Sequence, residues 1–460
     1  MSQSQRFTVE IIENSLRCYN ERNEISLTVD DIVCILPNLR GTENHYEVVF
    51  LHRRSRHNGL EVEDCADLES IQVTSLPHLL LSQFLCSELP CHLHTDGSNP
   101  TNIHVVVSTA SGIGAAKILY TRILKPLLLK LGLSNYHYHE TQSPQTIFEL
   151  CQSHFIACAE AGISQTIILL SGDGGVVDII DAFYSTVKLL VVQPTIVLIP
   201  TGTGNATASS LGLMSKPTTG LRELLRGMPR PLPTFVAEFS PGAKYVIEGH
   251  ASAFVGGSSL AQYKHPKIHG AVVASWGIHA SLVANSDTTE YRKFGADRFK
   301  MAANQLLFPP NGAESHRYLG TVTLTRKKDE ANREDIEILK SKEHMYMLVT
   351  LVPKLEKDFV ISPKSVPLDG RLRVIHFGPA RPEKVTQLMA SAYQGGQHVY
   401  EESVLYSEIE GLHIQFHEID EKWRRVCIDG KIVTVESGGW MHVYKEPRFL
   451  LNLLAPANIA

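Results

Sequence analysis

The stretch Gln165-Thr-Ile-Ile-Leu-Leu-Ser-Gly-Asp-Gly-Gly-Val-Val-Asp-Ile-Ile180 decides the fold. Thr166 to Leu170 is an unbroken run rich in apolar β-branched residues, the composition of a strand buried on both faces. It breaks at Ser171-Gly-Asp-Gly-Gly175. Val176, Ile179, Ile180, Phe183 and Val187 then recur at helical spacing on one face. Strand, glycine turn and helix together aim backbone N–H groups at an anion, above all a phosphate. Here the turn also sets one carboxylate, Asp173, at its mouth.

Two similar units flank this one. Ile103 to Val107 is a predicted strand ending in Ser108-Thr-Ala-Ser-Gly-Ile-Gly114, and Pro194 to Ile199 is another ending in Pro200-Thr-Gly-Thr-Gly-Asn205. After the first comes a predicted helix to about Leu131, ended by Gly132 and kinked at Pro126. Tyr136 to Glu140 alternates like a strand, and Thr146 to Ala161 follows as a helix closed by Gly162. Repeated strand–helix units predict a parallel sheet with its loops gathered at one edge. Glycine in each turn can serve tight packing alone. Three such turns at one edge, one of them holding an acid, favour a nucleotide site. Thr203 and Asn205 add side-chain hydrogen bonds ahead of a helix N-terminus.

Outside these units the rhythm changes. Residues 1–98 carry short β-type runs at Ile32–Leu36, His45–Leu51 and Ile71–Leu76, and predict a small β-rich accessory segment. Arg53, Arg54 and Arg56 mark the end of a solvated hairpin or a contact for anionic lipid. A polar boundary lies between Glu88 and Thr101, so residues 99–233 form the predicted α/β nucleotide-binding domain. Beyond Pro229-Arg-Pro-Leu-Pro233 come strand candidates at Phe235–Ile247, Gly270–Ser275, Tyr318–Leu324, Tyr346–Leu351, Leu372–Phe377, Leu412–Phe416 and Lys431–Val435. One helical interval, Tyr291–Leu307, interrupts them. Residues 234–460 are therefore expected to form an antiparallel, β-sandwich-like domain, with Lys327–Lys342 as a charged loop.

Composition narrows the function classes. The 460 residues are 43% hydrophobic and 20% charged, with a net charge of -5, which speaks against a broad nucleic-acid surface. None of the eight cysteines forms a C-x-x-C pair, and the Cys86, Cys91, His92, His94 patch lacks a second ligand pair, so no metal site is expected. His137 and His139 share one face of their strand and are expected to be ordinary side chains there rather than ligands. Met1 to Leu16 holds no apolar signal core, and runs such as Leu79–Leu81 and Leu127–Leu129 are too short to cross a bilayer. The expected location is cytoplasmic, with any membrane contact peripheral.

At this point the sequence resembles the diacylglycerol kinase catalytic family, which includes the sphingosine and ceramide kinases. Ser171-Gly-Asp-Gly-Gly-Val-Val-Asp178 is similar to its GGDG block, and Ile199-Pro-Thr-Gly-Thr-Gly-Asn-Ala-Thr-Ala208 to its P-x-G-[ST]-G-N block. Ser275-Trp-Gly-Ile-His-Ala280 with Glu290-Tyr-Arg-Lys-Phe-Gly-Ala-Asp-Arg-Phe299 resembles a block of the sphingosine and ceramide kinase branch. Cys427-Ile-Asp-Gly430 resembles the late D-G-E block.

The resemblance implies an ATP- and Mg²⁺-dependent lipid kinase that meets its lipid at a membrane surface. Asp173 would be the general base. Ser111, Gly112, Gly114, Gly172, Gly174, Gly175, Gly202, Thr203, Gly204, Asn205, Arg292, Arg298 and Asp429 would bind the nucleotide. Trp276, Asn285 and Asp287 would face the lipid, a sphingoid long-chain base first and diacylglycerol or ceramide next. The chain departs from the family pattern in its first block, where Ser108 and Thr109 stand in place of Asn and Pro, and at three further positions. Ile113 stands where a lysine is common, Lys431 replaces the late glutamate, and Asn285 takes the place of the acid expected to meet a lipid amine. Those departures motivate a second reading, a non-catalytic lipid- or nucleotide-binding relative. A soluble-metabolite kinase of the NAD-kinase or phosphofructokinase type is a third, and the block from Trp276 to Phe299 argues against it.

Overall fold

Strand Gln165–Ser171 is buried at every residue and has a neighbouring strand on each side. The computed structural model describes residues 6–19, 24–38, 45–53, 66–95, 100–187, 189–215, 218, 220–247, 250–255, 265–295, 297–310, 313–327 and 334–457. In its first α/β unit the strand order is Met228–Pro231, Asn452–Ala455, Thr195–Pro200, Gln165–Ser171, Asn102–Val107 and His137–Glu140. The last four run parallel, in registers that align Ile167 with Ile196 and His104, and His104 with His137. This is the sheet that the alternating units predict.

Alternation along the central strand feeds two cores. Ile167 and Leu169 pack with Phe155, Ile179, Ile180, Phe183, Ile196 and Leu198 on one face. Ile168 and Leu170 pack with Val105, Val107, Leu124, Leu127, Val197 and Leu224 on the other. Each such side chain contributes about 1.5–3 kcal/mol relative to exposure, so the strand anchors both layers. Pro126 is the second residue of helix Lys125–Lys130, and the turn before it, Tyr120–Leu124, is widened and joins Ala116–Leu119.

Two strands of this sheet were not foreseen. Met228–Pro231 contains Pro229 and Pro231, and is tolerated because it sits at the edge, where an N–H is not needed on its outer side. Asn452–Ala455 comes from the far end of the chain and pairs in parallel with Thr195–Pro200.

The accessory segment is a sheet in the order Glu24–Thr28, Ser15–Tyr19, Arg6–Ile12, Ala66–Val73, His45–Arg53, Ile32–Asn38, with helix His78–Phe84 against it. Val33, Cys34, Val49 and Leu51 join the core of the α/β unit. Arg222 donates to the carbonyls of Ile32 and Val29 at 2.7 and 2.6 Å, and Arg122 grips Asp67 through two bonds of 2.6 and 2.9 Å. Arg54 and Arg56 lie outside the described residues.

The rest forms two facing antiparallel sheets. One runs Lys267–Gly270, Phe235–Phe239, Trp440–Lys445, Gly411–Phe416, Tyr318–Lys327, Glu334–Ile338. The other runs His250–Phe254, Lys244–Ile247, Lys431–Thr434, Arg425–Ile428, Val273–Gly277, Tyr346–Thr350, Leu372–Phe377, Leu405–Ile409. Phe235, Phe239, Trp276, Tyr318, Tyr346, Phe377 and Phe416 fill the space between them. The charged stretch expected as a loop is in part a strand: Glu334–Ile338 pairs with Tyr318–Lys327. Its charges (Glu334, Asp335, Glu337) interleave with exposed Ile336 and Ile338, as suits an edge strand. Helices Ile278–Ser286 and Pro382–Ala392 also go beyond the one predicted interval. Among the described residues no helix is long and apolar enough to cross a membrane.

His137 and His139 do share a strand face, and there they meet two more imidazoles. His104 stacks with His137 and His139 at ring distances of 5.0 and 5.6 Å, with His154 edge-on at 5.9 Å. Burial, reinforced by His137, His139 and His154, pushes the His104 imidazole down to about 3. In the unfolded chain it titrates near its ordinary 6.5 and binds a proton that the folded form refuses. Stability is therefore expected to fall as pH drops from about 6.5 toward 3, by up to about 1.4 kcal/mol per pH unit from this group. Urea unfolding measured from about pH 7 to about 4 checks this: His104→Asn should flatten the slope, and an unchanged slope would refute the assignment.

Candidate active site

The three glycine turns meet at one edge of the parallel sheet, backbone against backbone. A Cβ on Gly202 would lie 2.4 Å from the Cα of Gly172, and one on Gly112 would lie 2.4 Å from the carbonyl oxygen of Thr201. Gly112 also has φ +58°, a conformation that disfavours any side chain. The Gly172 N–H donates to Ser111 Oγ at 2.9 Å, and the Thr201 N–H to the Ser171 carbonyl at 3.0 Å. These glycines are thus explained by loop packing. Gly175 is too, since its Cβ would meet Ser171 Oγ at 2.6 Å.

Gly174 and Gly204 differ. A Cβ on either would meet no protein atom within 4 Å, and both are exposed. Thr203, next to Gly204 in the chain, is also exposed, and Thr201 Oγ1 is buried with no hydrogen-bond partner among the described residues. Asn205 is committed within its own loop. Its Nδ2 donates to the Gly202 carbonyl at 2.7 Å and its Oδ1 accepts from the Gly202 N–H at 3.2 Å.

Asp173 stands in the first turn of helix Asp173–Thr186 and reaches across to the next loop. Its carboxylate accepts from the N–H groups of Ala206 and Thr207 at 2.6 and 3.0 Å, and so caps helix Ala206–Ser210. Burial pushes its pKa up, and the backbone donors of Thr207 and Ala206 oppose that shift. A desolvated carboxylate with raised basicity, held at a loop junction, can take a proton from a nearby hydroxyl.

Asp429 arrives from the β-sandwich. Asp429 and Gly430 form a two-residue turn between Arg425–Ile428 and Lys431–Thr434, at φ +48° and +88°. Positive φ at both central residues is what a tight hairpin of this hand needs, and Asp-Gly supplies it. The Asp429 carboxylate accepts from the N–H groups of Ala271, Val272 and Val273 at 2.6, 3.0 and 2.5 Å. Burial pushes it up to about 7, with the negative charge of Asp173 among the further causes. The two carboxylates therefore lie within electrostatic reach of each other, one from each unit.

Two residues on, Lys431 is held by Asp178 and Asp181 of helix Asp173–Thr186 at 3.1 and 3.2 Å. This triad escaped sequence reasoning, although the signal was present: Asp178 and Asp181 sit one helical turn apart, and Lys431 was the departing letter of its block.

The remaining candidates sit elsewhere in the sandwich. Trp276 is fully enclosed, with its indole N–H on the Trp423 carbonyl at 2.9 Å and its ring against Phe416 and Tyr318. Its surroundings are those of a packing residue. Asn285 is half-buried in helix Ile278–Ser286, and Asp287 follows it, 3.9 Å from Arg298. The Arg298 guanidinium also lies over Phe299 at 4.7 Å. Arg292 ends helix Thr289–Arg292, and its side chain lies outside the described residues. The Cys427 thiol, pushed up to about 12 by burial, feels both Asp429 and Asp287, so Asp287 lies within electrostatic reach of this strand. Gly114, at φ +79°, is exposed beside Ile113. Among the described residues no group of three or more His, Cys, Asp or Glu is arranged to hold a metal ion.

Residues 102–237 match the family model of the diacylglycerol kinase catalytic domain. No curated protein matches the chain. Solved structures from Bacillus anthracis str. Sterne are similar at low identity. One, described as a "putative diacylglycerol kinase", is 14% identical, with a TM-score of 0.49 over 78% of this chain and 98% of its own. A second, described as a diacylglycerol kinase, is 12% identical, with a TM-score of 0.46 over the same shares. The segment of this chain that is similar to the diacylglycerol kinase catalytic domain is thus residues 102–237, the segment that holds all three glycine turns, Asp173 and the helix it caps.

Proposed function

We propose that the protein is an ATP-dependent lipid kinase that transfers a phosphoryl group to the hydroxyl of a sphingoid long-chain base. The observation that carries this reading is the pair Gly174 and Gly204, which no packing requires, open beside Asp173 where the three turns meet. The match of residues 102–237 to a lipid kinase catalytic domain supports the class. The functional division that goes with it is an accessory segment 1–98, a catalytic nucleotide domain 99–233 and a lipid-binding domain 234–460.

The parts act as follows. Gly174, Gly204, Thr203 and the unpartnered Thr201 Oγ1 fit a polyphosphate, since glycine allows the backbone N–H groups to approach it closely. ATP, when bound there, supplies the phosphoryl group. Asp173 accepts the proton of the attacking hydroxyl. Burial pushes Asp429 up to about 7, which favours its neutral form beside Asp173. The donor set does not fit a protein-built magnesium cage, because the Asp173 and Asp429 carboxylates are committed to backbone N–H groups.

On the acceptor side, Asp287 and Asn285 at the end of helix Ile278–Ser286 would receive a lipid amine. Arg298 beside Asp287 partly neutralises that acid, which keeps diacylglycerol or ceramide as the second reading. A panel of sphingoid base, ceramide, diacylglycerol and a water-soluble acceptor, scored by radiolabelled product, separates these. Phosphorylation of the sphingoid base above the others is expected, and binding of Mg-ATP without transfer to any lipid would favour the non-catalytic relative.

Two substitutions test the site. Asp173→Asn should lower turnover by about 10³-fold or more. It also weakens the cap on helix Ala206–Ser210, at about 0.5–2 kcal/mol. Circular dichroism of the variant should therefore show a folded protein with a modestly lower melting temperature. Near-normal kinase activity in that variant would sink the role of Asp173. Gly204→Val should leave the melting temperature of the nucleotide-free protein unchanged and weaken Mg-ATP binding about tenfold or more, whereas Gly202→Ala should destabilise the fold itself. Unchanged ATP affinity in the Gly204 variant would remove the nucleotide from this edge.

A further inference from the structure

The Lys431 ammonium lies 3.1 Å from Asp178 and 3.2 Å from Asp181, in a junction between helix Asp173–Thr186 and the hairpin that presents Asp429. All three charges are largely desolvated. Burial works against the ammonium, but Asp181 and Asp178 outweigh it and hold the lysine above its ordinary range. Burial raises Asp178, and Lys431 pulls it back. Further charged and polar groups pack around the junction. His269 of strand Lys267–Gly270 offers its backbone N–H to Asp181 at 3.5 Å, and its ring faces Glu446, which Arg448 holds in turn. Tyr245 of strand Lys244–Ile247 is buried against the two acids and the lysine, and its phenol is pushed up by burial and by Asp181. A cross-strand lysine with two carboxylates one helical turn apart makes a three-point clamp. It fixes the helix that begins at Asp173 relative to the turn that carries Asp429.

We propose that Lys431 is a positioning residue for the phosphoryl-transfer site: it clamps the Asp429–Gly430 turn of the sandwich to the helix that bears Asp173. This rests on the lipid-kinase reading given above. The clamp also keeps the net charge behind Asp173 at one negative unit rather than two. A second uncompensated negative charge would raise the basicity of Asp173 and Asp429, so they would hold their protons to higher pH. Where the resembling family carries an acid, a third carboxylate here would face two others, so the lysine is matched to this particular helix.

The experiment compares wild type, Lys431→Met, Lys431→Arg and the double variant Asp178→Asn/Lys431→Met, each with the preferred lipid across pH. Lys431→Met is expected to lower kcat/KM about tenfold and to move the acid limb of its pH profile up by about half a pH unit. Lys431→Arg should keep kcat/KM within about threefold of wild type. The double variant restores the net charge without the clamp. Its acid limb should return to the wild-type position, while kcat/KM stays about threefold or more below wild type. A purely structural role would reduce the amount of active enzyme equally at every pH and leave the limb in place. Folded Lys431→Met with wild-type kcat/KM and an unmoved limb overturns the proposal.

If wild type phosphorylates no lipid, the kinase reading fails on its own, and the clamp is read by amide hydrogen exchange. The N–H groups of Ala271, Val272 and Val273 are held by Asp429. Lys431→Met should speed their exchange without affecting strand Gln165–Ser171. Unchanged exchange at those three amides overturns the clamp regardless of activity.

Discussion

Two backbones touching without side chains, at Gly172 and Gly202, set the geometry on which the rest depends. At that separation the loop after one strand becomes the floor for the loop after the next. Asp173 can then reach the open N–H groups of Ala206 and Thr207, which would otherwise be unsatisfied at the start of a short helix. One carboxylate thus stabilises its neighbour's helix and is itself fixed in place. Pulling it out of water raises its basicity, and the donors that fix it limit how far. Position and proton affinity come from the same contacts.

Helix Asp173–Thr186 carries this geometry into the second unit. Its first turn holds Asp173, its middle holds Lys431 through Asp178 and Asp181, and Tyr184 near its end donates to the Arg448 carbonyl and accepts from the Leu450 N–H. Arg448 in turn donates to the Val187 carbonyl at 3.1 Å, just past the helix end. One helix is therefore tied to the sandwich at two levels. A shift of the sandwich along this axis would be felt at Asp173 through a stiff rod rather than through a loop.

Much of the α/β unit was legible in sequence because strand, glycine turn and helix each leave a local mark. The runs at Ile103–Val107 and Thr166–Leu170 are apolar because strands covered on both faces have no wet side. What stayed hidden was non-local. Met228–Pro231 looks like a proline-rich linker, and only its place at the sheet edge makes it a strand. Ser15–Tyr19 and Glu24–Thr28 do alternate polar and apolar residues, as strands with one wet side do, but at five residues each the mark is short. At the site, the turns and Asp173 were visible. Which glycines serve packing and which stand open was not, since that depends on the facing loop. The helix cap on Ala206–Ser210 and the Lys431 clamp join residues far apart in sequence, so the i,i+3 spacing of Asp178 and Asp181 marked two acids on one helix face without naming their partner. Trp276, a large aromatic in a recognised block expected to face the lipid, is enclosed against Phe416, an environment that only the folded sheets define.

Strand Asn452–Ala455 completes a sheet whose other parallel members lie far earlier in the chain. While the chain emerges from a ribosome, one side of Thr195–Pro200 has no parallel partner until the whole sandwich has been made. An unpaired, wholly apolar strand is a template for wrong pairing. The two units therefore cannot mature one after the other as beads on a string; the first is finished only by the last residues of the second. The nascent chain therefore has to shelter that open flank while the sandwich is being made.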